Sequence, residues 1–319
     1  MGKILGGLFC FIIPLSSFAR PCVTGDSACL ETFSPISDHS FELFRTYALK
    51  EKTTEVTHLV IVTHGINRNA NEYFAAMAKA AEIAGTLNET LIVAPHFKQP
   101  EDKPTKNELF WSAGNWKSGA NSSNSSVQIS SFIVMDSLIR SILKSSNFPN
   151  LKKITITGHS AGGQFVARYA PGTDLDYPNV HYIIANPSSY LYLGPERVSG
   201  KDFSVPDSEA CSDFNDYPYG LKRSNSYLEG IPLATLVSHI RNRKLSILVG
   251  EADTESELLD MSCGANLQGR YRFERGSIYY QYLTKFFSPS HLSLVTVPKV
   301  GHSHEQMYQS TQGVRLIFG

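Results

Sequence analysis

Six short runs of aliphatic and β-branched residues recur along the chain, several with helical spacing between them. Residues 58–63 read His-Leu-Val-Ile-Val-Thr, 90–94 Thr-Leu-Ile-Val-Ala and 153–158 Lys-Ile-Thr-Ile-Thr-Gly. Residues 180–185 read Val-His-Tyr-Ile-Ile-Ala, 244–250 Lys-Leu-Ser-Ile-Leu-Val-Gly and 292–297 Leu-Ser-Leu-Val-Thr-Val. Several are apolar at consecutive rather than alternate positions, as expected of parallel strands covered on both faces. Between them, 71–84 places Tyr73, Phe74, Met77, Ala80 and Ala81 on one helical face. Residues 128–143 do the same with Ile129, Phe132, Ile133, Leu138 and Ile142, while 161–170 and 306–317 predict two further helices. This alternation predicts an α/β fold with a mostly parallel central sheet and helices on both faces. Two stretches, 97–126 and 186–240, follow neither period. They predict insertions, and long insertions in compact α/β domains are usually lids or pocket walls.

The chain has 319 residues, enough for one domain with a large core. Its 29 basic and 29 acidic residues balance, so charge gives no reason to expect nucleic acid or an anionic membrane as partner. The N-terminus reads as an address. Met1-Gly2-Lys3 is followed by an apolar run to Ser17, interrupted by Gly6, Gly7 and Pro14, and then by Ser17-Phe18-Ala19. This predicts a signal peptide over 1–19, the run being too short for a stable membrane anchor. The mature chain, 20–319, would be one exported domain, secreted or periplasmic. It keeps Cys22, Cys29, Cys211 and Cys263, an even number that predicts two disulfides. Cys22–Cys29 is the local choice and leaves Cys211–Cys263, although the other pairings stay open. No cysteine has zinc-ligand spacing, so no metal is expected. Asn88, Asn121 and Asn124 head N-glycosylation sequons, which matter only in a eukaryotic host.

The chemistry lies at three strand ends. Gly158-His159-Ser160-Ala161-Gly162 follows the 153–158 strand and opens a helix. That is the strand–turn–helix setting in which a tight turn lifts a serine hydroxyl clear of the sheet. A serine hydroxyl needs a base, and the base needs an orienting acid. Asp253 follows the 244–250 strand and His302 follows the 292–297 strand. Glu251 competes for the acid role and His304 for the base. His159, beside the serine, reads as a packed residue lining the sheet end.

With its Ser…Asp…His order, its elbow at 158–163 and its His64-Gly65 turn, the chain resembles the α/β-hydrolase superfamily over roughly residues 50–319. The likeness is to a secreted serine esterase. It implies Ser160 as nucleophile, His302 as general base and acid, and Asp253 as the acid that sets its tautomer. It implies an oxyanion hole from the backbone N–H groups of Ile66 and Ala161, with Asn67 the competing donor. His64 itself would be structural. Cleavage of a small or polymeric carboxylic ester through an acyl-serine intermediate follows, with no cofactor. Peptidase or polyester depolymerase activity, or a non-catalytic binding role on the same scaffold, are the alternatives.

The pocket is less defined. Asn67, Trp111, Trp116, His159 and Tyr190 are candidate lining residues, Trp111 and Trp116 equally placed to pack beneath their loop as core. Arg270, Arg272 and Arg275 form a basic cluster, read as a solvated helix face or an ion-pair network rather than an anion clamp.

Overall fold

The structure is a computed structural model that describes residues 20–112 and 114–319; the expected signal peptide lies outside them. The elements run β1 (Leu30–Ile36), β2 (His39–Arg45), β3 (His58–Thr63), α1 (Ala70–Ile83), β4 (Thr90–Pro95), α2 (Ser131–Lys144), β5 (Lys153–His159), α3 (Ala161–Gly172) and β6 (Val180–Ala185). They continue as β7 (Arg197–Ser199), β8 (Asp202–Ser204), α4 (Leu233–Asn242), β9 (Lys244–Gly250), α5 (Cys263–Asn266), α6 (Arg272–Phe287), β10 (Leu292–Val297), α7 (His304–Gln309) and α8 (Thr311–Phe318). All six strands read from the sequence are present. They form the parallel body of an eight-stranded sheet of order β1-β2-β4-β3-β5-β6-β9-β10, to which β1 and β2 add an antiparallel edge.

The period-2 pleat divides the core. Leu59 and Ile61 of β3 pack on one face with α2, α3, α4 and α6, whereas Val60 and Val62 pack on the other with α1, α7 and α8. Each such side chain contributes roughly 1.5–3 kcal/mol of burial, which is why consecutive apolar residues identify these strands. The expected helix at 306–317 is two helices. Ser310 leaves helical geometry at ψ 156° and its hydroxyl accepts the Gly313 N–H at 2.9 Å, so it caps a fresh helix.

Both disulfides of the favoured pairing are present, Cys22–Cys29 and Cys211–Cys263. The insertions are held by buried cations. Arg197 donates to the carbonyls of Gly194, Glu196, Phe214 and Tyr219, and Arg168 donates to Ser189 Oγ at 3.0 Å. Such donors satisfy loop carbonyls that no sheet or helix would satisfy. Among the described residues no helix is long and apolar enough to cross a membrane.

Candidate active site

Ser160 is the single residue between β5 and α3, at φ 60° and ψ −118°. A non-glycine residue held there stores roughly 1–3 kcal/mol of strain, and here the surroundings impose it. The Ser160 N–H donates to the Ala185 carbonyl of β6, and its own carbonyl accepts from Gln164 N–H in α3, both at 3.0 Å. The motif glycines have a steric reason. A Cβ on Gly158 would lie 2.4 Å from backbone atoms of Gly162, and one on Gly162 would lie 2.2 Å from the Thr63 carbonyl oxygen. Strand, helix and the end of β3 meet there backbone to backbone, leaving no room for a side chain.

Asp253 and His302 reach Ser160 from the turns after β9 and β10. His302 Nε2 lies 2.9 Å from Ser160 Oγ, and His302 Nδ1 lies 2.7 Å from Asp253 Oδ2. An ionised carboxylate only accepts, so Nδ1 carries the proton and the Nε2 lone pair faces the hydroxyl. Asp253 is buried and its N–H caps the turn onto Gly250; the His302 side chain is 24 % exposed, open toward solvent. The second oxygen of Asp253 lies 3.4 Å from Arg272 Nη1, both side chains fully buried.

The competing residues point elsewhere. Glu251 accepts a hydrogen bond from Thr296 Oγ1 at 2.9 Å. The His304 ring stacks on Tyr73 with centroids 4.0 Å apart. The Tyr73 hydroxyl in turn lies 3.3 Å from His159 Nδ1. Burial first, then the neighbouring His302 and His304, push the His159 pKa well below its usual value, so its ring is neutral beside His302.

His64 is fully buried and also held neutral, mainly by burial. Its Nε2 accepts the Phe97 N–H at 3.1 Å, so its Nδ1 carries the proton and donates to the Gly65 carbonyl at 2.8 Å. The 65–66 peptide is trans, so fixing that carbonyl turns the Ile66 N–H the opposite way. The Ala161 N–H opens α3 and belongs to the first turn, where amides lack helical acceptors.

A cleft at this point is lined by Gly65, Ile66 and Asn67, by His159, Ser160, His302 and His304, and by Glu72, Glu255, Glu257, Leu258 and Arg272. Asn67 and His159 are among its lining residues. Trp111, Trp116 and Tyr190 do not line it, which corrects Tyr190 as a pocket wall and leaves the two tryptophans with their core alternative. Both indoles are fully buried: Trp116 stacks on Phe97 and lies tilted against Phe165 of α3, Trp111 meets Phe97 edge-on, and Trp111 Nε1 donates to the Ala120 carbonyl at 2.8 Å. Tyr190 is fully buried, stacks on Tyr279 at 4.3 Å and exchanges two backbone hydrogen bonds with the Gln268 side chain. No described residue of 97–126 or 186–240 lines the cleft; its rim is the 255–258 turn. Sequence reasoning did not single out that turn, and it read Tyr73, which also lines the cleft, only as part of a helix face. Arg272 and Arg275 are no solvated face, since both are fully buried. Among the described residues two groups have metal-ligand types within reach of one another, around Cys22 and Cys211, and in both the sulfurs are consumed in disulfides and offer no thiolate.

Against solved structures, the chain is similar to poly(aspartic acid) hydrolase-1 from Sphingomonas sp. KT-1, with 22% identity over 91% of this chain and 98% of that one, at a TM-score of 0.66. It is similar to a poly(3-hydroxybutyrate) depolymerase from Bordetella parapertussis at 22% identity, 88% and 86% coverage and a TM-score of 0.64. The chain has the α/β-hydrolase fold. No protein-family model and no curated sequence matches it. At these identities an α/β-hydrolase scaffold is what is shared, and function must be argued from the site.

Proposed function

We propose that this α/β-hydrolase-fold protein is an exported serine hydrolase that cleaves a carboxylic ester through an acyl-Ser160 intermediate. The observation that carries the reading is the continuous Ser160–His302–Asp253 hydrogen-bond chain on a strained elbow, opening into a cleft. His302 Nε2 takes the hydroxyl proton as Oγ attacks the carbonyl carbon. The proton then passes to the leaving alcohol, and His302 next activates water to release the acid. Asp253 holds the tautomer and offsets the imidazolium charge. Ile66 and Ala161 N–H groups stabilise the oxyanion, each donor worth roughly 3 kcal/mol. The two disulfides fit an oxidising compartment.

The structural relatives carry names of polymer hydrolases, one acting on a polyanion. The cleft argues for an uncharged ester here. Glu72, Glu255 and Glu257 are exposed on its rim, while Arg272, the one Lys or Arg among the described residues that line it, is buried and already paired. A substrate bearing carboxylates near the scissile bond is repelled, and salt screens that repulsion.

A fluorophosphonate probe followed by peptide mass spectrometry tests the chemistry: label is expected on Ser160, and its absence in active-site-intact protein rejects the reading in favour of a binding role. A panel of neutral aryl esters, monosuccinyl esters, aspartyl peptides and polyesters then ranks substrates. Turnover of the anionic members ahead of the neutral esters would reject the charge argument.

A further inference from the structure

The geometry points to Arg272 as a positioning residue that couples the relay to the rim of the cleft. Asp253 carries two oxygens with two different tasks. Oδ2 meets His302 Nδ1 at 2.7 Å, and Oδ1 meets Arg272 Nη1 at 3.4 Å with neither side chain exposed. A buried carboxylate with a donor on only one oxygen can rotate about its Cβ–Cγ bond. The guanidinium on the second oxygen blocks that rotation. It sits on the far side of the carboxylate from the imidazole, so it fixes Asp253 without competing for the His302 contact.

The same guanidinium reaches the rim. Nη1 points at the Glu255 carbonyl at 3.5 Å, and Nη2 donates to the Glu257 carbonyl at 2.8 Å. The next residue of α6, Phe273, donates its N–H to the Asp253 carbonyl at 3.2 Å. The first turn of α6 thus grips the segment from Asp253 to Glu257 by backbone and side chain together. Glu255, Glu257 and Leu258 form one wall of the cleft. One buried fork therefore sets both the aim of the acid and the position of the wall that meets substrate. Arginine suits this because its planar fork serves several acceptors at once, which a lysine ammonium on a flexible stem does not.

This inference rests on the Ser160–His302–Asp253 relay being catalytic. Arg272→Gln is expected to lower kcat on a neutral aryl ester about 10- to 100-fold, the scale of a misplaced catalytic group, and to raise KM several-fold. Arg272→Lys restores a charge beside Asp253 but not the contacts to both carbonyls. It should recover kcat to within about threefold of wild type while KM stays raised. In the double-mutant cycle, adding Arg272→Gln to Asp253→Asn should cost no further kcat, because Arg272 acts through Asp253. Near-UV circular dichroism confirms that each variant is folded. If Arg272→Gln does not fold, the lysine variant alone decides: near-wild-type kcat with raised KM supports the role, and any other pattern overturns it. Additive losses in the cycle also overturn it. Fluorophosphonate labelling of wild-type Ser160 tests the relay separately, so a labelled wild type with unaltered Arg272 variants rejects the role of Arg272 alone.

Discussion

The two ends of the sheet pair histidines with hydroxyls at nearly the same distance, yet only one end has the arrangement that the proposed chemistry requires. At the carboxyl ends of the strands, His302 Nε2 sits 2.9 Å from Ser160 Oγ. At the amino ends, His58 Nε2 sits 2.8 Å from Thr155 Oγ1 and His181 Nε2 sits 2.7 Å from Ser246 Oγ. Three differences separate them. The hydroxyls of Thr155 and Ser246 are buried on regular strands, whereas Ser160 stands on a positive-φ turn that lifts it into the cleft. Among the described residues, neither His58 nor His181 touches a carboxylate, whereas His302 holds Asp253. Burial and nearby lysines push both amino-end histidines down to about 3, so they stay neutral and structural. A histidine–hydroxyl contact is thus common packing. A carboxylate behind it, strain beneath it and a cleft in front distinguish the pair proposed to be reactive.

The largest test of this contrast is at the carboxyl end. Ser160→Ala and Asp253→Asn should each cost about 10⁴-fold or more in ester turnover, measured as kcat on a neutral aryl ester. His58→Gln and His181→Gln should leave turnover within about twofold. A turnover loss in the glutamine variants comparable to Asp253→Asn would break the comparison.

A second effect concerns acid. In the unfolded chain His58 and His181 titrate near 6.5, but in the fold near 3, so the unfolded state binds more protons. Their contribution is complete above about pH 6.5 and is lost as pH falls from 6.5 toward 3, at about 1.4 kcal/mol per pH unit for each group. The double glutamine variant keeps hydrogen-bonding capacity without the titration. Its stability, followed by urea melts between pH 7 and 4, should fall less steeply than that of wild type. Parallel slopes would show that these histidines are not the acid-labile element.

The smallest effect is at the rim. Glu255→Gln with Glu257→Gln should lower KM for a monosuccinyl ester a few-fold at low ionic strength, and barely at 0.5 M salt. Neutral-ester KM should not move. Equal changes for both esters would mean that the rim acts through shape rather than charge.

Legibility in the sequence followed burial. β3, β6 and β9 are legible to the residue because strands buried almost throughout are rich in consecutive apolar residues. The β1–β2 hairpin escaped because Leu30–Ile36 is half-exposed and mixed in character. α6 escaped because it opens on arginines whose burial depends on carbonyls and a carboxylate brought in from elsewhere. Tryptophan, too, carries no label for pocket or core: the same loop pattern serves either, and packing against Phe97 and Phe165 put Trp111 and Trp116 in the core.

Local chemistry decided what could be read one segment at a time: the parallel strands, the glycine-flanked serine and the order in which acid and base follow it. Those depend on pleat period, steric room and turn geometry, all short-range properties of the chain. The long-range contacts came only with the fold: the Asp253 carboxylate on His302 Nδ1, a turn at 255–258 rather than either long insertion on the cleft rim, and Arg272 beneath both. Each of those depends on which distant atoms meet in a low-dielectric interior, where an unpaired charge or carbonyl is costly and partners are chosen by proximity rather than by position in the chain.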